Sequence, residues 1–144
     1  MSKVKLDIEF VESTEGITPD QLHGFFEGWP DPPSPARHLE ILRRSSLRIL
    51  ARDARSGRVV GFVTAITDGV LSAYVPLLEV LPEYRGAGLG RELMQRMVRR
   101  LEPMYMIDLT CDEDVQPFYE RLGWTRYTAM IRRDRGALKN AGRS

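Results

Sequence analysis

The sequence predicts a mixed α/β (α+β) fold: a mostly antiparallel sheet of about six or seven strands, flanked by about four helices. Three observations carry this. "VKLDIEFVE" alternates Val4, Leu6, Ile8 and Phe10 with charged residues, the period-2 pattern of a half-buried strand. "LRILARDARSGRVVGFVTAITDGVLSAYVPLLEVLP" holds three strand-like runs separated by "DARSG" and "TDG", turn chemistries that join antiparallel neighbours. From residue 89 the period changes, with Leu89, Leu93, Met94, Met97, Val98 and Leu101 forming one helical stripe.

The remaining elements follow in chain order. Thr18 and Pro19 stand as cap and first turn of a short, glycine-interrupted helix over "QLHGFFEGW", ended by "WPDPPSP". Ser34 and Pro35 start a second helix through "ARHLEILRRS". After the amphipathic helix, "YMIDLTC" reads as a buried strand and "VQPFYERLG" as a short helix closed by Gly123. "TRYTAMIRR" reads as a last strand, followed by a solvated basic tail from about residue 135.

At 144 residues the chain is expected to be one domain, 1–144, with a core that needs no staple. One cysteine and two histidines, His23 and His38, offer no metal-ligand spacing, so no metal is expected. Neither histidine is given a role; both read as surface or boundary residues. No apolar run approaches the roughly 20 residues of a membrane span, and "MSKVKLDIEF" lacks a secretory core, so the expected location is cytoplasmic and no membrane partner is expected. A net charge of +1, a pI near 7.9 and a mean hydropathy of -0.30 give no field that calls for nucleic acid. Arg132, Arg133, Arg135, Lys139 and Arg143 in the tail are explained equally by solvation.

The stretch "LPEYRGAGLGRELMQ", residues 81–95, puts three glycines behind an arginine where a helix begins. The first amides of a helix have no internal acceptor, and with the helix dipole they attract an anion. Gly86, Gly88 and Gly90 keep side chains away from that approach. A nucleotide-binding P-loop would need lysine and serine or threonine after the last glycine, where Arg91 and Glu92 stand. A dinucleotide fold would place G-x-G-x-x-G directly off a strand, whereas here the spacing is G-x-G-x-G behind Pro82 to Arg85.

The run "VLPEYRGAGLGRELM" resembles the acyl-CoA loop of the GCN5-related N-acetyltransferases. Arg85, Gly88 and Gly90 fill that pattern, and Val80, Pro82, Glu83 and Tyr84 match its lead-in. Downstream, "FYERLGW" is similar to a second element of the same family. The resemblance covers residues 59 to 131. It implies strands that splay apart at the acyl-CoA site and acetyl-CoA as the acyl-donor substrate. It also implies that the amides of Arg85, Gly86, Ala87, Gly88, Leu89 and Gly90 hold the pyrophosphate, and that the Val80 backbone pairs with the pantetheine arm. Arg91 is either a phosphate contact or a solvated first-turn residue. A homodimer is a family-level expectation.

The same resemblance places Tyr119 as the general acid beside the sulfur, the other reading being an aromatic that packs beside Phe118. Glu79 interrupts the apolar strand "VPLLEVL", so it either faces a cleft as the base or forms an internal salt bridge, with Arg121 or Arg126 as partner. Cys111 precedes Asp112, Glu113 and Asp114, whose field opposes a thiolate, and reads as a small buried hydrophobe. Asp112 stands where the family often has asparagine, which leaves the acid cluster to recognise a cationic acceptor instead. Trp29, with Glu27 and Asp31, stands where the family's first helices border the acceptor; as a core plug it would be structural.

These residues make an N-acetyltransferase acting on a primary amine the leading expectation, by direct attack in a ternary complex, since no activated nucleophile is visible. A non-catalytic acyl-CoA sensor is the rival from another class, and a nucleic-acid binder with steeply salt-dependent affinity is a third. Nothing in the residues selects the acceptor; a small molecule is preferred because the domain is minimal.

Overall fold

The structure, a computed structural model, describes residues 6–141. Among them five strands form one sheet in the order β1 (Ile8–Val11), β2 (Leu47–Asp53), β3 (Val59–Thr67), β4 (Ser72–Val80), β5 (Met106–Asp108). β1 to β4 are an antiparallel meander, and β5 joins β4 in parallel after a helical crossover. Both turn stretches lie where their chemistry places them. Asp53 accepts from the Arg55 amide, and Asp68 Oδ1 accepts from the amides of Val70, Leu71 and Ser72. These bonds hold both carboxylates below their usual pKa range.

The expectation of six or seven strands is corrected to five. Val4 lies outside the described residues, and residues 125–134 form no element. Threonine, tyrosine and isoleucine suit a pleated surface, but a strand exists only where a neighbour takes its hydrogen bonds. Among the described residues this stretch has no such neighbour.

α1 (Pro35–Arg44) starts as expected: Ser34 Oγ accepts from the Arg37 amide at 3.1 Å, and Pro35 occupies the first turn. The earlier helix expected over residues 21–29 is only a 3-10 turn, Pro19–Gln21. Gly24, Phe26 and Gly28 all have φ between +63° and +93°, so the chain reverses hand every second residue and no helix can propagate.

α2 (Leu89–Leu101) buries Leu89, Leu93, Met94, Met97 and Leu101, each worth about 1.5–3 kcal/mol of transfer free energy. It stops where Pro103 forces Glu102 into an extended conformation. α3 (Gln116–Glu120) is shorter than "VQPFYERLG" suggested. α4 (Arg135–Ala141) is a short helix within the solvated basic tail.

Alternation along β2 assigns two cores to opposite faces of the sheet. Ile49 and Ala51 join α2 in one, while Leu50 joins Phe26, Leu39, Leu42 and Phe62 beneath α1 in the other. His38 belongs to this second face, which corrects its reading as a surface or boundary residue. It is 1% exposed, its ring centroid lies 4.4 Å from that of Phe62, and neither ring nitrogen has a hydrogen-bond partner among the described residues. Burial lowers its pKa from 6.5 to about 4.

Because the folded pKa is depressed, the unfolded chain takes up the proton first. This contribution to stability is fully present above about pH 6.5 and is lost as pH falls toward 4, on the order of 3 kcal/mol in all. His38→Leu removes it, so urea melts of the variant flatten between pH 6.5 and 4 relative to the wild type. An unchanged pH dependence would contradict the assignment.

Candidate active site

The chain leaves β4 at Val80, turns through Pro82–Tyr84 and enters α2 from Gly88, whose φ of +80° is left-handed. Gly86 is left-handed as well, and a Cβ at either position would meet no protein atom within 4 Å. Glycine is therefore required there by backbone conformation, and the space in front of it is open. The amides of Gly86, Ala87, Gly88, Leu89, Gly90 and Arg91 have no acceptor among the described residues, the first capped bond being Glu92 N–H to Gly88 O. That row of donors at a helix mouth fits a diphosphate.

Two members of the expected binding set are already engaged. The Arg85 amide donates to Pro82 O at 3.2 Å, so the free row begins at Gly86. The Arg85 Nε donates to Val80 O at 3.1 Å, so that carbonyl is shared with a side chain before any ligand reaches it. Arg91 lies exposed in the first turn of α2.

Beside this mouth the sheet opens. β5 pairs with β4 only from Ser72 to Tyr74, leaving Val75–Val80 without a neighbour on that side among the described residues. The reason is local. Ile66 faces Tyr74 and Thr64 faces Leu77, so Val75 and Pro76 together oppose Ala65 alone. This is a bulge at a proline, which has no amide hydrogen for the ladder and bends the strand away. Sequence reasoning passed over Pro76, although a proline inside an apolar strand is the signal for it.

Val80, Gly90 and Phe118 meet at the deep end of the opening: a Cβ on Gly90 would sit 3.6 Å from the Phe118 ring and 3.8 Å from Val80 Cγ2. Tyr119, next along α3, is half-buried against the α2-side core, with ring centroids 5.0 Å from Phe118 and 6.1 Å from Trp124. Its hydroxyl has no partner among the described residues. Burial first, then Cys111 nearby, pushes its pKa from 10 up to about 12, so it stays protonated. Cys111 is partly exposed, and burial followed by Asp112 raises its thiol, which leaves it a poor nucleophile.

Glu79 lies on the other face, the side of β4 shared with Leu77. The salt bridge to Arg121 or Arg126 is absent among the described residues: Arg126 pairs with Glu120 at 2.8 Å. Glu79 Oε1 instead accepts the Phe26 amide at 3.0 Å, and Oε2 is buried with no partner. Burial raises the carboxyl pKa, against the lowering effects of the Phe26 hydrogen bond and the Arg85 charge.

Phe26, which holds this carboxylate, is the one non-glycine residue of positive φ among those described, at +63°. No sequence signal marked it. It also lines a cleft of about 480 Å³ with Phe25, Glu27, Trp29, Arg58 and Glu83. Trp29 is 40% exposed and stacks edge-on against Phe26 at 5.1 Å, so it is a wall of this cleft and not a core plug. Glu79 and Tyr119 thus lie on opposite faces of the sheet.

Residues 14–124 match the family model for the acetyltransferase (GNAT) family. The chain is 28% identical over 131 residues to ycf52 of Porphyra purpurea, named an uncharacterized N-acetyltransferase, covering 86% of this chain and 74% of that one. It is 32% identical over 96 residues to the glucosamine 6-phosphate N-acetyltransferase of Trypanosoma brucei brucei, covering 65% of this chain and 57% of that enzyme, so it spans little more than half of the latter's length. The crystal structure of a presumed acetyltransferase from Deinococcus radiodurans R1 superposes with a TM-score of 0.90 at 50% identity, over 99% of this chain and 97% of that one. With a matching family profile, a matching fold and a glycine loop at the opened edge of β4, this chain belongs to the acetyltransferase (GNAT) family.

Proposed function

We propose that this chain, acting as one domain, transfers the acetyl group of acetyl-CoA directly to a primary amine, without an acyl-enzyme. The observation that carries the reading is the row of acceptor-free amides from Gly86 to Arg91 facing the gap where β5 leaves β4. In this reading the amides bind the diphosphate, and the unpaired edge of Val75–Val80 receives the pantetheine arm. Glu79 Oε2 takes a proton from the ammonium group of the acceptor. The amine nitrogen then bonds to the acetyl carbon as the carbon–sulfur bond breaks and loses its second proton to water. Tyr119 donates its phenolic proton to the sulfur and recovers one from solvent, and Glu79 releases its proton to solvent before the next turnover.

A small-molecule acceptor suits the aromatic cleft beside Phe26, where Glu27 supplies negative charge for a cation while Glu83 is paired with Arg58 at 3.1 Å. The related Trypanosoma enzyme is named for an amino sugar phosphate, a compound of that size.

The test is thiol release from acetyl-CoA with a panel of amines, set beside calorimetric binding of coenzyme A. Amine-dependent release supports the reading. Binding without release for any amine would make the chain a non-catalytic acyl-CoA binder, and neither would overturn the site. Within it, Gly88→Val forces a branched side chain into a left-handed position, which costs about 1–2 kcal/mol or more. It weakens coenzyme A binding by about tenfold or more, and unchanged affinity would show that the loop is not the anchor.

A further inference from the structure

Arg58 ends the turn between β2 and β3, and its guanidinium reaches two other parts of the chain. Nη1 donates to Glu83 Oε1 at 3.1 Å, in the turn that leads into the glycine loop, and Nη2 donates to the His23 carbonyl at 3.3 Å. A planar fork can span two acceptors in this way, whereas a lysine ammonium is a point charge on a flexible stem. The same side chain closes over Gly24: a Cβ there would sit 3.3 Å from Arg58 Nη2 and 3.2 Å from Leu81 Cδ2.

The segment fastened in this way is the one that holds Glu79. Just beyond His23, Phe26 donates its amide to Glu79 Oε1 from a backbone with φ of +63°. A non-glycine residue keeps that conformation only where its surroundings dictate it. Downstream, the Phe26 ring is buried and Phe26 O accepts from the Trp29 amide at 3.2 Å. Upstream, the irregular stretch 22–26 is fixed from the β2–β3 turn: Gln21 Nε2 donates to Gly57 O at 2.7 Å, and Arg58 takes the His23 carbonyl.

We propose that Arg58 is a positioning residue for acetyl transfer: by holding His23 against the lead-in of the glycine loop, it sets the Phe26 amide at Glu79 and so fixes the direction of that carboxylate. The Tyr84 hydroxyl, bonded to Asp53 Oδ2 at 3.1 Å, holds the same lead-in independently, so the donor loop keeps its place without Arg58. The pair of Arg58 with Glu83 is 36% and 54% exposed, and an ion pair of that kind stabilises a fold little, which separates position from folding. The kinetic consequence rests on the reading of Glu79 as the base; the hydrogen bond from Phe26 does not.

Amide hydrogen exchange of the free protein, followed by NMR, reads that bond directly. In Arg58→Met the Phe26 amide is expected to exchange about tenfold faster or more relative to the Met97 amide of α2, with little change in melting temperature. Arg58→Lys keeps the charge and loses the fork, so its Phe26 amide is expected to quicken as well. With acetyl-CoA and an amine that the wild type accepts, Arg58→Met lowers kcat by about tenfold or more and leaves the Kd for coenzyme A within about twofold.

An unchanged Phe26 amide in either variant would overturn the proposal. So would Phe26 and Met97 amides that quicken together, since Arg58 would then serve folding alone. Faster exchange with kcat unchanged, or a loss of coenzyme affinity equal to the loss of kcat, would remove the positioning role too. Exchange is read without coenzyme or amine, so a Glu79→Gln variant that keeps its activity overturns the base reading alone.

Discussion

Tyr119→Phe is expected to lower kcat by about 10²-fold or more while leaving the Kd for coenzyme A within about twofold. The phenylalanine ring keeps the edge contacts to Phe118 and Trp124. The lost hydroxyl has no hydrogen-bond partner among the described residues, so its removal strands no buried group and changes stability little. What disappears is the proton for the departing sulfur. With burial holding the phenol near 12, that proton is available across the working pH range, and the wild type shows no falling limb from this group until strongly alkaline pH. Steady-state kinetics beside calorimetry check the split. Equal losses in kcat and affinity, or no loss in either, would contradict the acid role.

Glu79→Gln is expected to cost about 10²- to 10⁴-fold in kcat and to abolish the rising limb of the pH–rate profile. A base must be unprotonated to act, and burial raises this carboxyl above 4.5, so the wild-type limb has its midpoint above that value. Glutamine still offers an oxygen to the Phe26 amide, and the fold keeps its anchor.

The stability sign runs the opposite way to activity. A folded pKa above the unfolded one makes a contribution that is present below pH 4.5 and lost as pH rises through the folded value. At neutral pH the amide variant is therefore at least as stable as the wild type. A variant that is inactive because it has unfolded would fail a melt at pH 7, and one that keeps its rising limb would remove Glu79 as the base.

Much of this arrangement is legible in the residues, because it depends on neighbours close in sequence. The Ser34 cap, the Asp68 turn, the stripe of α2 and the left-handed glycines of the loop each follow from contacts within a few positions. Glu79 is conspicuous as a carboxylate in an apolar strand, but the salt-bridge reading points to the wrong kind of partner. Arg121 and Arg126 lie near Tyr119 in sequence, whereas the group that meets Glu79 is a main-chain amide 53 residues away. The Arg85 amide was likewise counted free, since the turn that engages it with Pro82 is a matter of backbone angles.

By itself, then, the sequence determined the meander, the amphipathic helix and the glycine turn before it, since local periodicity and turn chemistry need only nearby atoms, and two motifs carried the family by resemblance. Only the tertiary structure decided that His38 is buried among aromatic rings, that Trp29 walls a cleft, that a bulge at Pro76 parts β4 from β5, and that residues 125–134 pair with no strand among the described residues. Each of these depends on which distant segment occupies the adjoining space. Burial and hydrogen-bond pairing are properties of that packing, so the same side chain can be wall, plug or base according to its neighbour.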